Sequence, residues 1–137
     1  MVATVSKSPR HTILVVEQEP DVSRLMRRIM SGGTARILAA CSGARALQIA
    51  ARTPVDLVML DVQLPDISGT EVLHRLRRID TCTPVIMVTS RGSAATVRAA
   101  MELGAFDYLT KPFGSDEMKN VVYEALASRA VPMRLRA

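Results

Sequence analysis

Five short apolar runs, each followed by a segment of helical periodicity, leave this chain few ways to fold. The first, Ile13-Leu14-Val15-Val16, is too short for a helix and rich in β-branched residues, so it reads as a buried strand. Pro20 opens a helix in which Val22, Leu25, Met26, Ile29 and Met30 recur at spacings of three and four before Gly32-Gly33 stops it. Its arginines fall on the outer face. The cycle repeats with a strand over residues 35–40, then a helix capped by Ser42 that carries Ala46, Leu47 and Ile49 to Ala51. A central strand over 55–60 follows, then a turn with Pro65 and Gly69 and a helix carrying Val72, Leu73, Leu76 and Ile79. Residues 84–88 form the fourth strand, 94–103 a helix closed by Gly104, 106–109 a short fifth strand and 115–128 the last helix. Nearly continuous apolar strands alternating with helices predict a parallel sheet covered on both faces. Right-handed crossovers make that an open, doubly wound α/β sheet.

With 137 residues, 48% of them apolar, the chain is expected to fold as one domain and to leave no room for a second. No run approaches a membrane span, and the opening MVATVSKSPRH lacks the apolar block of a secretion signal, so a cytoplasmic protein is expected. The net charge of +5 resides in the flanks. Lys7 and Arg10 at the start, and Arg129, Arg134 and Arg136 at the end, have no acid beside them; without those five, thirteen bases face thirteen acids. Residues 1–11 and 129–137 therefore read as basic arms around a domain at 12–128, the second being a tail or the start of a linker. Neither nucleic acid nor membrane is expected to partner this chain alone. Cys41 and Cys82 match no metal spacing and read as ordinary reduced thiols.

In doubly wound sheets, functional groups gather at the carboxyl ends of the strands. Here the first strand ends in Glu17-Gln18-Glu19, the third in Asp61, the fourth in Thr89-Ser90, and the fifth runs to Lys111-Pro112. Alone, each has a plain structural reading: a helix cap, a solvated charge, a β-former. Together they put carboxylates, a hydroxyl and an ammonium on one edge. Converging carboxylates are relieved by a hard divalent cation such as Mg²⁺. Asp61 could then attack a phosphoryl group to form an aspartyl-phosphate, with Lys111 and Thr89 steadying the phosphoryl oxygens.

ILVVEQEPDV, VDLVMLDVQLPDISG, PVIMVTS and FDYLTKPF, with the Ser42-Gly43 and Ala46-Leu47 pairs, resemble the receiver domain of two-component response regulators over residues 12–128. The resemblance implies a flavodoxin-like fold, a (βα)5 sandwich with a five-stranded parallel sheet in the order 2-1-3-4-5. It implies that Asp61 takes its phosphoryl group from a histidine kinase or histidine phosphotransfer protein. It implies that Thr89 and Lys111 bind the acyl phosphate and that the Lys111-Pro112 bond is cis. Tyr108 matches the aromatic switch residue that turns inward as Thr89 moves; its plain reading is a half-buried edge aromatic. The metal set would be Glu17, Gln18, Asp61 and the backbone carbonyl of Gln63. The output would run through the face of the fourth helix, fifth strand and fifth helix, to a protein target or a second copy of the chain.

The sequence departs from this family where it places Gln18, because the second acid of the first turn normally contacts the metal and an amide is a weaker, neutral ligand. Weakened Mg²⁺ affinity is expected. Gln63 and Arg91 occupy positions that tune acyl-phosphate lifetime; both are long and polar, so slow autodephosphorylation is expected, while small Ser90 leaves phosphoryl access open. One alternative is a degenerate receiver that binds partners without phosphorylation because Gln18 has disabled the metal site. A haloacid-dehalogenase-type phosphatase would need an acid where Gln63 stands. A flavodoxin would need a phosphate loop where Glu17-Gln18-Glu19 would repel phosphate.

Overall fold

The computed structural model describes residues 11–33, 35–90 and 94–129. The proposed arms lie almost wholly outside these residues, as does Arg91. Five strands and five helices alternate: β1 (Thr12–Val16), α1 (Pro20–Met30), β2 (Arg36–Ala40), α2 (Gly43–Arg52), β3 (Leu57–Asp61), α3 (Gly69–Ile79), β4 (Val85–Ser90), α4 (Ala94–Glu102), β5 (Asp107–Lys111) and α5 (Ser115–Arg129). All four pairings are parallel and the order is β2-β1-β3-β4-β5, the expected doubly wound sheet.

Strand alternation sorts the core into two layers. Leu14, Val16, Val58, Leu60, Val85 and Met87 pack under α2, α3 and α4, against Ala46, Val72, Leu73, Leu76 and Ala100. Ile13, Val15, Leu57, Met59, Ile86, Val88 and Leu109 pack on the other face with Met26 and Met30 of α1 and Met118, Val121, Val122 and Ala125 of α5. Each fully buried large side chain contributes about 1.5–3 kcal/mol relative to exposure. The strands carry most of the core because both of their faces are covered.

Periodicity overstated two helix stripes. Leu25 of α1 is 44% exposed and Ile79 of α3 is 48% exposed, so neither faces the sheet. Small Ser23 is buried in α1 instead, where the helix comes close to its neighbours. β3 begins two residues later than the apolar run suggested. Val55 is buried but precedes the ladder, its carbonyl accepting from Thr83 Oγ1 at 3.1 Å. β4 and β5 end at Ser90 and Lys111, the strand ends expected, and the pairing of these two residues puts Lys111 in the sheet itself.

The helix starts follow their caps. Ser42 and Ser68 each accept from the backbone N–H three residues on, of Arg45 and Glu71 at 3.2 Å. Gly104, at φ +98°, closes α4 in a conformation that disfavours any side chain. Its carbonyl receives Arg77 Nη2 at 2.8 Å, and Arg77 Nη1 reaches the Thr83 carbonyl at 2.8 Å, so one guanidinium ties the ends of α3 and α4 to the loop before β4.

Gly69 opens α3 with its N–H on the Val62 carbonyl at 2.8 Å, which folds residues 62–69 back over the end of β3. A Cβ there would collide with the carbonyl oxygen of Asp61 and the Cα of Val62, both backbone atoms that cannot turn aside. Gly69→Ala should therefore lose about 1–3 kcal/mol or more in urea unfolding, whereas Gly32→Ala, with open space around its Cβ, should stay within about 0.5 kcal/mol. Equal midpoints for the two variants would refute this account of the turn.

Candidate functional site

β1, β3 and β5 deliver three side chains to the carboxyl edge of the sheet on the α1/α5 face. Val16 pairs with Leu60, so the next residues along, Glu17 and Asp61, arrive side by side. Lys111 ends β5 in step with Leu109 of the same face. Its Nζ lies 3.0 Å from Glu17 Oε1, 3.3 Å from Asp61 Oδ2 and 3.2 Å from Glu19 Oε1. The lysine is followed by a cis bond to Pro112, as expected.

Two of these acids are deeply placed, Glu17 at 2% and Asp61 at 3% exposure. Burial pushes the Glu17 carboxyl up to about 7, neighbouring Asp61 pushes the same way, and Lys111 pulls against both. Burial works to lower the Lys111 ammonium, but the hydrogen bond to Glu17 and the charge of Asp61 outweigh it and its pKa rises. Glu17 also holds its own turn through Oε2, which accepts from Glu19 N–H at 3.1 Å, while its buried Oε1 has no directed hydrogen bond. Asp61 Oδ1 accepts from Gln63 N–H at 3.0 Å, so the loop after β3 is keyed to the same carboxylate.

Thr89 and Tyr108 belong to the other face. They share the rows of Met87 and Thr110 toward α4, and with Ser90, Val97 and Arg98 they line a shallow groove of about 450 Å³. Thr89 Oγ1 donates to the Ser90 carbonyl at 3.2 Å, and the Tyr108 ring is 45% exposed. Gln18 and the Gln63 side chain lie exposed beside the edge. The edge thus unites Glu17, Asp61 and Lys111, with Thr89 on the opposite face of the adjoining strand.

Two contacts had not been assigned from sequence. Glu19, counted among the edge carboxylates without a role, reaches Lys111 across the fold. Asp66 accepts from the N–H groups of Gly43 and Ala44, both at 2.8 Å, and these bonds hold its carboxyl below the usual carboxylate range. It caps α2 from the loop after β3; the local signal was Pro65-Asp66 in a turn, but nothing local points to a helix so far upstream. Cys41 and Cys82 are not joined in a disulfide. Among the described residues, no three His, Cys, Asp or Glu side chains are grouped to hold a metal as they stand, and no helix is long and apolar enough to cross a membrane.

The sequence profile described as response regulator receiver domain matches residues 13–123. The chain belongs to that family. This receiver is 42% identical over 105 residues to the transcriptional regulatory protein KdpE of Mycobacterium tuberculosis, covering 77% of the chain and 46% of the relative. It is 39% identical over 114 residues to the transcriptional regulatory protein YkoG of Bacillus subtilis, covering 83% and 50%. The chain spans about half the length of these curated relatives. The signal receiver domain of an HD domain-containing protein from Pseudomonas fluorescens superposes with a TM-score of 0.84 at 25% identity, covering 88% of this chain and 98% of that one. The chain is thus a receiver of the two-component response regulators, a signalling domain.

The raised Glu17 pKa makes the stability of the metal-free receiver depend on pH. A carboxyl whose pKa climbs from 4.5 to about 7 on folding stabilises the fold below 4.5, and that contribution is lost as pH rises through about 7. In EDTA, the melting temperature of Glu17→Gln relative to the parent should therefore rise between pH 5 and pH 8. A difference that stays constant over that range would contradict the assignment.

Proposed function

We propose that this receiver accepts a phosphoryl group on Asp61 from a phosphohistidine of a sensor kinase or phosphotransfer protein, and signals through the face of α4, β5 and α5. The observation that carries this reading is the buried Asp61 carboxylate held against Lys111 at an otherwise acidic edge. An oxygen of Asp61 attacks phosphorus and the P–N bond breaks. The bonding pair returns to the donor imidazole, which takes up a proton, and an acyl phosphate remains on Asp61. Lys111 exchanges its carboxylate contacts for a phosphoryl oxygen and balances the added charge. The retained Asp61, Thr89 and Lys111 argue against a module that works without phosphorylation. The reaction is self-catalysed phosphotransfer, with no other substrate turned over.

The donor set fits a hard divalent cation: all its atoms are oxygens, and Glu17 Oε1 is buried without a directed hydrogen bond. Glu17, Asp61 and the carbonyl of Gln63 would hold Mg²⁺, with Gln18 a neutral ligand that weakens the site. When bound, Mg²⁺ supplies charge neutralisation for the incoming phosphoryl group. The Gln63 side chain and Arg91 screen the acyl phosphate from water and slow its loss, while exposed Ser90 leaves the approach open.

Thr89 is the link to the output face. Its hydroxyl gives up the Ser90 carbonyl for a phosphoryl oxygen, and the Tyr108 ring turns into the groove beside α4. α4 is suited to respond, because its buried contact is Ala100, while Ala94, Ala95 and Ala99 are exposed. A helix with so little buried surface shifts at small energetic cost. A protein target or a second copy of the chain reads that change in the cytoplasm; this chain alone engages neither nucleic acid nor membrane.

Incubation with a small phosphodonor and Mg²⁺ should add one phosphoryl mass, read by intact mass spectrometry, that Asp61→Asn abolishes. A label that persists in the variant would remove Asp61 from the role. With an unreactive phosphoryl mimic and Mg²⁺, amide resonances of residues 94–108 should shift far more than those of residues 20–52. Comparable shifts in both regions would eliminate this face as the output.

A further inference from the structure

We infer that Glu19 supplies the cation site with the negative charge that Gln18 lacks. The inference rests on the reading of the Asp61 edge as a Mg²⁺ site and departs from the ligand set given above, in which residue 19 has no part.

Glu19 is the N-cap residue of α1, a position where Ser, Thr, Asp or Asn would turn a side-chain oxygen onto the helix N–H groups. Glu19 makes no such bond, although its backbone has the extended conformation of a cap, φ −85° and ψ 116°. Its carboxylate goes elsewhere, to Lys111 Nζ at 3.2 Å, across 92 positions of sequence. The turn is built for this. Pro20 begins the helix immediately after, and the N–H of Glu19 is fastened to Glu17 Oε2 at 3.1 Å. Residues 17 and 19 thereby present their carboxylates to one ammonium.

Charge counting gives the second argument. Glu17, Glu19 and Asp61 surround Lys111, so with all three ionised three negative charges meet one positive charge and two remain, the charge of one divalent cation. Without Glu19 the edge would hold one surplus negative charge and would attract Mg²⁺ far less, because an amide at position 18 adds none. The Glu19 side chain is 60% exposed, whereas that of Glu17 is fully buried. An exposed carboxylate next to a Mg²⁺ ion that retains several waters can act through one of those waters, as outer-sphere groups do. If Glu19 were only a solvated partner of Lys111, the pair would contribute little to anything.

The test is calorimetric titration of Mg²⁺ into the whole unphosphorylated chain, with far-UV circular dichroism to verify folding. Glu19→Gln should raise the Mg²⁺ dissociation constant about tenfold, whereas Asp21→Asn, which removes an equal charge from an exposed carboxylate paired with Arg24, should change it less than about twofold. Adding Gln18→Asp to Glu19→Gln should restore tight binding, because the same charge returns from the neighbouring position. A Glu19→Gln curve that overlays the parent overturns the inference, as does an Asp21→Asn loss equal to that of Glu19→Gln. Glu17→Gln separates the two levels. Binding weakened by Glu17→Gln but untouched by Glu19→Gln sinks the role of Glu19 alone; a parent chain that takes up no Mg²⁺ sinks the metal site and the role together.

Discussion

A parallel sheet buried on both faces has one open place for polar chemistry, the edge where its strands end, and this receiver concentrates its charge there. The pairing of Val16 with Leu60 obliges Glu17 and Asp61 to emerge as neighbours, both almost out of water. Two adjacent carboxylates in that setting repel each other and lose hydration. Lys111 is what makes the arrangement tolerable, and it is available only because β5 runs far enough to carry it into the edge. The ammonium is therefore the structural counter-charge of both carboxylates.

The same strand alternation that buries the core divides the labour between the two faces. Glu17, Asp61 and Lys111 continue the row of Ile13, Met59 and Leu109 toward α1 and α5. Thr89 and Tyr108 continue the row of Met87 toward α4. The two rows of side chains are thus separated only by the thickness of a single strand end. The loop after β3 is held at three points, by Gln63 on Asp61, by Gly69 on Val62 and by Asp66 on α2. The loop beside Asp61 is thus tied down, while α4 on the other face buries only Ala100.

Burial and Asp61 push the Glu17 carboxyl up to about 7 while Lys111 pulls it down, so opposing effects meet on one group. Glu19 is free of any capping duty and adds its charge at the solvent side, where it can be recruited without burying a further ion.

The alternation of apolar runs and helical periods was enough to establish from sequence the strand count, the sheet type and the edge at which the strands bearing Asp61, Thr89 and Lys111 end, because burying both faces of a parallel sheet imposes that pattern residue by residue. The same pattern misjudged Leu25 and Ile79, since periodicity records which side of a helix is apolar and not how wide a stripe the sheet can cover. It started β3 at Val55, because apolarity marks burial and not membership of the ladder. The partners of Glu19, Asp66 and Arg77 were invisible for a different reason. Each contact joins elements whose relative position is decided by how helices settle onto the sheet, and a carboxylate at a helix start reads alike whether it caps that helix or reaches across the fold to a lysine. Local sequence determined which groups arrive at the edge; only the packed tertiary structure decided which of them meet.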